Sequence, residues 1–248
     1  MTVFKDHFSS HAAAYAAYRP GYPGELANWL ASIAPTPGVA LDAGCGSGQF
    51  SLLLAEHFEK VIATDPSAQQ IENAVQHPRV DYRVATAETS GLADGSVDLL
   101  SVAQAAHWFD LPAFFREARR VLTPGGVIAL ITYVGMMARG PIEAICERFR
   151  LVTLDGYWPP ERAMVENHYR DIELPFTPVA APEFVIDVHW PLAGLIGYLD
   201  TWSAVRAMER RVGRAPLDEV VSELSDAWGD PEAVRTISWP LAIVAGRA

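Results

Sequence analysis

The sequence predicts an α/β protein whose helices cover both faces of a doubly wound, mostly parallel sheet. Two observations carry that expectation. From about residue 38 to residue 133, short apolar runs alternate with amphipathic stretches, strand then helix, the mark of parallel strands joined by right-handed helical crossovers. A glycine-rich turn at 44–48 joins the first apolar run to the first amphipathic one, a place where open sheets of this kind gather ligands. Length adds a third constraint. A chain of 248 residues, 50% hydrophobic and 20% charged, buries roughly 70–75% of its unfolded surface without needing disulfide or metal.

The elements follow in order. Val39 to Ala43 is a buried-strand pattern ending in glycines, and Phe50, Leu53, Leu54 and His57 mark one helical face after it. Lys60 to Thr64 reads as a second strand, and Ser67 to Gln76 as a helix with Ser67 as cap. Strands are expected at 79–85 and 97–103. Asp110 can cap a helix whose apolar face is Phe114, Phe115, Ala118, Val121 and Leu122, stopped by Pro124-Gly125-Gly126. Val127 to Tyr133 is a fifth strand. Beyond 135 the pattern loosens: helices at about 139–154, 161–171, 192–213 and 216–228, and strands at 183–190 and 237–245. No repeat or low-complexity linker divides the chain, so 1–248 reads as one domain.

Charge and cysteine content narrow the function. Nineteen Lys and Arg against thirty Asp and Glu give −11, which repels phosphate backbones, and no basic stripe offsets it, so no nucleic-acid partner is expected. The cluster Arg206, Arg210, Arg211 and Arg214 also contains Glu209 and reads as a solvated helix face. Cys45 and Cys146 have no CxxC or neighbouring His pair, which fits a reducing compartment and no metal. The first residues show no basic region feeding an apolar run, and the most apolar stretch, 127–138, is too short to span a bilayer. A cytoplasmic protein without membrane attachment is expected; the oligomeric state stays open.

The informative segment is Leu41-Asp42-Ala43-Gly44-Cys45-Gly46-Ser47-Gly48-Gln49. Glycine lets the backbone turn sharply and approach a ligand with no Cβ in the way. The spacing excludes two ligand classes. A dinucleotide turn needs its third glycine where Gln49 stands, and no Lys follows to make a phosphate loop. Asp65, 21 residues beyond Gly44 at the end of the second strand, is placed to accept from both hydroxyls of a ribose.

LDAGCGSG, IATD ending at Asp65, Ala85-Thr86-Ala87-Glu88 and LTPGG at 122–126 stand in this order, and the chain resembles the class I S-adenosylmethionine-dependent methyltransferases over residues 38–133. Ala103 to Phe109, with the stretch Tyr15 to Pro23, is similar to the small-molecule branch that includes trans-aconitate methyltransferases. The resemblance implies a Rossmann-like seven-stranded sheet with the last strand antiparallel, a helical N-terminal lid (1–37), a cofactor-binding core (38–133), and acceptor-pocket helices with closing strands (134–248). It implies S-adenosyl-L-methionine as cofactor. Gly44, Cys45 and Gly46 would pass its methionine part, and Asp42 would reach its ammonium through water or backbone. Asp65, followed by Pro66, would hold the ribose; Ala87 and Glu88 would meet the adenine; Ala103 and Gln104 would lie by the ammonium. Family members commonly carry an acidic residue where Thr86 stands, so the adenine contact departs from the pattern. Tyr18 and Arg19, with Tyr15 and Tyr22, would form the lid over the cofactor carboxylate; the alternative is a packing helix with amphipathic tyrosines.

The expected activity is methyl transfer to a small molecule, with a carboxylate oxygen as acceptor. Carbon or hydroxyl of a quinone-like or secondary-metabolite substrate is the alternative, and a non-catalytic S-adenosylmethionine-binding protein the alternative from another class. A carboxylate needs no base at pH 7, whereas a hydroxyl does, and His107 is then the candidate catalytic residue. Without a base to supply, His107 is a wall of the pocket. Arg139, Arg206, Lys60 and Arg116 are the cations from which an acid clamp could be drawn. Trp158, Trp190, Trp202 and Trp228 all fall in the half expected to form the pocket, with Tyr198 and Trp202 on one helix face.

Overall fold

Five apolar runs become parallel strands: β1 (Val39–Ala43), β2 (Lys60–Asp65), β3 (Val80–Val84), β4 (Val97–Ala103) and β5 (Leu122–Thr132). The computed structural model describes residues 18–248; Tyr15 and the helix expected around it lie outside the described residues. Between the strands run α1 (Gly24–Ile33, before β1), α2 (Gln49–Leu54), α3 (Ala68–Glu72) and α4 (Leu111–Val121). The expected caps form: Ser67 Oγ accepts from the Gln70 N–H (3.3 Å) and Asp110 Oδ1 from the Ala113 N–H (3.1 Å).

The C-terminal half adds β6 (Met137–Ala138), α5 (Ile142–Arg148), a π-helical turn at Phe149–Thr153, α6 (Arg162–Glu166), β7 (Thr177–Val179) and β8 (Val185–Trp190). It ends with α7 (Leu192–Asp200), α8 (Ser203–Val212), α9 (Ala215–Trp228), β9 (Arg235–Pro240) and β10 (Ala242–Arg247). The main sheet has seven strands in the order β3-β2-β1-β4-β5-β10-β7, with β10 antiparallel to β5. The expected seven-stranded sheet with an antiparallel closing strand is present.

Several elements differ from the sequence reading: the helix expected at 67–76 ends at Glu72 and that expected at 161–171 is the short α6, and three further differences change the architecture. The run expected as one strand at 237–245 is two strands in two sheets. β9 pairs with β6 and β8 in a separate three-stranded sheet, and the chain steps at Leu241 into β10 of the main sheet. Both strands have buried residues, so apolarity runs through the step and hides it. The strand at 183–190 accordingly lies in the small sheet, and β7, short and containing Pro178 at the sheet edge, completes the large one. The helix expected at 192–213 breaks at Thr201-Trp202.

Alternation along the strands builds two cores. Leu41, Ile62, Leu100, Val102, Ile128 and Leu130 face one side; Ala40, Val61, Ala63, Leu99, Val127 and Ile131 face the other. α1 packs Leu26, Ala27 and Leu30 into the second core, so this part of the expected lid is a packing helix. A third cluster, rich in Trp and Tyr, joins α5, α7, α8, α9, β8 and β9 to Tyr133 and Met136 just after β5. Strand order reverses between β1 and β4. The crevice at their carboxyl ends is therefore where the site forms. Among the described residues, no helix is long and apolar enough to cross a membrane, and no group of three or more His, Cys, Asp or Glu could hold a metal ion.

Candidate active site

β1 ends under a turn pinned to its neighbour: the Gly44 and Cys45 N–H groups donate to Thr64 O of β2 (2.7 and 3.0 Å). Gly44, Gly46 and Gly48 all have left-handed backbones (φ +72°, +56° and +86°), but for different reasons of space. A Cβ on Gly44 would lie 2.6 Å from Ala105 Cβ, and one on Gly48 only 2.2 Å from the Tyr82 hydroxyl. Among the described residues, a Cβ on Gly46 would meet nothing within 4 Å. Gly44 and Gly48 are packing glycines, whereas Gly46 fronts open space.

Two carboxylates brace the turn. Asp42 is buried and accepts from Ser51 Oγ (2.6 Å) and Ser101 Oγ (3.1 Å). Burial pushes its pKa up to about 6, against the pull of those hydroxyls. It ties β1 to α2 and β4. Asp65 Oδ2 accepts from the Gly46 N–H and Oδ1 from the Ser67 N–H, both at 2.9 Å. Pro66 lies between those two contacts in the chain. The Cys45 thiol donates to Gly46 O (3.4 Å), and burial raises its pKa well above the ordinary value.

The next two loops are equally fixed. Ala87 is buried; Glu88 Oε1 accepts from the Asp110 N–H (2.9 Å), and Ser90 donates through N–H and Oγ to Glu117 Oε1 (2.9 and 2.6 Å). At the end of β4, Ala103 leads into Gln104, which is left-handed without being glycine (φ +56°). Its N–H donates to Ile131 O (2.9 Å), its Nε2 to Tyr133 O (2.8 Å), and its Oε1 accepts from Thr132 Oγ1 (2.8 Å). These bonds hold a conformation that costs about 1–3 kcal/mol. Gly46, Asp65 and Gln104 thus come from three strand ends into one crevice.

Of the lid residues, Tyr18 lies over Gly197 of α7, Arg19 sits 5.7 Å from the Tyr198 ring centre, and Tyr22 meets Phe50 and Tyr133 edge-on. Arg19 also lines a narrow pocket of about 10 Å³ with Gln104, Tyr133, Arg150, Arg162 and Tyr198. A wider depression, about 520 Å³, lies at the opposite end of the strands around Phe176 and Arg247, away from these residues.

His107 is buried, with Nδ1 2.9 Å from the Tyr169 hydroxyl. Burial, with the nearby Arg162 charge, pushes its pKa down to about 3, so it is neutral at pH 7. Tyr169 went unnoticed in the sequence. It follows α6 on a left-handed backbone at His168 and Tyr169 (φ +56° and +58°), which no local pattern announces. The acid-clamp candidates lie elsewhere: Arg206 pairs with Asp200 and Glu209, Lys60 with Asp81, and Arg116 and Arg139 are exposed. The cations at the pocket are Arg19, Arg150 and Arg162. The i,i+3 and i,i+4 pairs Glu147–Arg150 and Arg162–Glu166 are legible as helix spacing, but their convergence is not. Trp158 and Trp202 do reach this region, 5.6 Å apart.

Comparison with known proteins agrees with this geometry. The family model of a methyltransferase domain matches residues 41–130. A protein of Dictyostelium discoideum named as a methyltransferase is 34% identical, over 98% of this chain and 95% of its own. A solved structure from Anaeromyxobacter dehalogenans, named as a type II methyltransferase, is 49% identical with TM-score 0.88, covering 93% of this chain and 98% of that one. The malonyl-acyl-carrier-protein O-methyltransferase of Pectobacterium atrosepticum is 36% identical over 47% of this chain and 44% of its own. The chain belongs to the class I S-adenosylmethionine-dependent methyltransferases. It is a methyl-transferring enzyme whose cofactor is S-adenosylmethionine, and the open space before Gly46, beside the Asp65 carboxylate, fits that cofactor.

Proposed function

We propose that the enzyme methylates a carboxylate oxygen of a small molecule, with residues 1–248 acting as one methyltransferase domain of the trans-aconitate methyltransferase-like branch. The observation that carries this reading is the lining of the narrow opening beside Gln104, its charges rather than its volume. Arg19, Arg150 and Arg162 line it with Glu147, and Glu166 bridges the last two arginines. Three guanidinium groups thus converge at one place in a protein that is otherwise acidic, which favours an anionic acceptor there. The relative named as a malonyl-acyl-carrier-protein O-methyltransferase supports an oxygen acceptor.

Gly44, Cys45, Gly46 and Gln104 would flank the methionine end of the cofactor, Asp65 its ribose hydroxyls, and Ala87 and Glu88 its adenine, with Tyr18 and Arg19 closing over it. When bound, S-adenosylmethionine supplies a methyl group on a sulfonium, whose departure as a neutral thioether lets a carboxylate oxygen accept it with no proton to move. The chain then has to align the acceptor and keep water out. Gln104, locked by three hydrogen bonds, gives the pocket a rigid floor, and Tyr133, Tyr198 and Trp202 give it apolar walls. His107, held neutral far below pH 7, is not tuned as a base and serves as a structural wall. The −11 charge disfavours a nucleic-acid acceptor, and the free thiols of Cys45 and Cys146 suit a reducing cytoplasm. The test is transfer of label from methyl-labelled S-adenosylmethionine to panels of small acids and phenols. A base-labile methyl ester is expected; label found only in base-stable ethers or C-methyl products would overturn the acid reading.

A further inference from the structure

We infer that Arg162 is the residue that reads the acceptor's negative charge, an inference that rests on the acid-acceptor reading above. The two buried-side arginines of the pocket are committed very differently. Arg150 spends all three nitrogens on carboxylates: Nε and Nη2 on Glu147, Nη1 on Glu166. It is a strut between α6 and the π-helical turn. Arg162 uses only Nε among the described residues, donating to Glu166 Oε1 (3.1 Å), while its guanidinium lies 4.3 Å from the Trp158 ring centre. Stacking and the Nε bond fix the plane of the group and leave its paired terminal nitrogens for a ligand. A guanidinium fork of that kind matches the two oxygens of a carboxylate.

The position fits. Arg162 lines the same pocket as Gln104, and its charge acts on His107, Tyr169 and Tyr198 around it. A cation pressed on the attacking oxygen would weaken it as a nucleophile. In a monocarboxylate Arg162 therefore holds the oxygen that does not attack, through one N–H, and in a diacid its fork takes the second carboxylate; in both cases it acts on acceptor affinity and alignment. Glu166 and Trp158 are positioning residues for it.

The experiment compares wild type, Arg162→Gln and Arg162→Lys with methyl-labelled S-adenosylmethionine and a panel of adipate, benzoate and phenylacetate, each beside its neutral amide, and with phenol. Circular dichroism and S-adenosylhomocysteine titration check fold and cofactor site. Arg162→Gln is expected to raise KM for the methylated acid about 10- to 100-fold, the cost of losing a charged hydrogen-bond pair, with S-adenosylhomocysteine affinity unchanged. Arg162→Lys, which keeps charge without the fork, should fall between. An acid methylated by wild type with KM unaltered in both variants overturns the assignment and leaves the acid reading standing. Should wild type methylate phenol and no acid, both fall together.

Discussion

In residues 38–133 the groups around the crevice hang on backbone hydrogen bonds at the ends of parallel strands, whereas in 134–248 the groups around the pocket hang on side-chain ion pairs and clustered rings. Thr64 O holds Gly44 and Cys45, Asp65 holds Gly46 and Ser67, and Ile131 O holds Gln104. On the other side, Glu147 and Glu166 hold Arg150 and Arg162, and Phe149, Tyr198, Trp202 and Trp239 belong to one core cluster. Strand-end geometry is set by the ladder and allows little variation. A wall of side chains can be exchanged without disturbing the sheet. On the proposed reading, the difference teaches that a fixed cofactor site and a replaceable acceptor site can share one chain.

Substitutions can break that contrast. The largest effect is expected for Gly44→Val, where a β-branched residue at φ +72° meets Ala105 at 2.6 Å. Strain and overpacking should together cost about 4 kcal/mol of stability and abolish S-adenosylhomocysteine binding, read by chemical denaturation and calorimetry. Gly46→Ala separates the two causes. It meets no atom of the described residues, so the fold should lose only about 1 kcal/mol while cofactor affinity drops at least tenfold (about 1.4 kcal/mol). Unchanged affinity would remove Gly46 from the cofactor site.

On the other half, Trp228→Ala empties a buried site where Nε1 donates to Ala233 O (2.9 Å). About 3–5 kcal/mol of stability should be lost, with S-adenosylhomocysteine affinity within twofold of wild type while the protein stays folded. An affinity that falls in step with stability would show that the two halves are not separable.

Acid pH should probe the junction between them. His107 has a folded pKa near 3 against an ordinary 6.5, so the unfolded chain takes up the proton first. Its contribution to stability is whole above pH 6.5 and is lost as pH falls toward 3, by up to a few kcal/mol. Asp42 works in the opposite sense: raised to about 6, its contribution is whole below pH 3.8 and lost as pH rises through 6. His107→Asn should therefore flatten the acid limb of a stability–pH profile, and Asp42→Asn the limb near pH 6. With an acid acceptor, His107→Asn should also keep most of its kcat, with no base-dependent limb. A 10²- to 10⁴-fold loss would return His107 to the role of base.

Asp65→Ala should weaken S-adenosylhomocysteine binding by about 1.5–3 kcal/mol on loss of a charged acceptor. Because Asp65 also accepts from Gly46 and Ser67, part of that loss is a loosened turn. Asp65→Asn, which keeps one acceptor, should recover some of it.

What the sequence determined by itself lies where local pattern and function coincide. The strand–helix alternation through Thr132, the caps Ser67 and Asp110, the 44/46/48 glycines and Asp65 are all short-range features, because a ladder, a cap and a left-handed turn each involve neighbouring residues. The cofactor class followed from them. Tertiary structure decided the rest. Only the fold shows that Gly44 is glycine because of Ala105 while Gly46 is glycine beside open space. Only the fold divides 235–247 between two sheets, since buried strands on either side of Leu241 look alike in sequence. The pocket cations are the clearest case. Nothing in the sequence sets Arg150 and Arg162 apart from Arg206 and Lys60, because a charge reveals its role through its partners, and those partners are brought together by helix packing between residues distant along the chain.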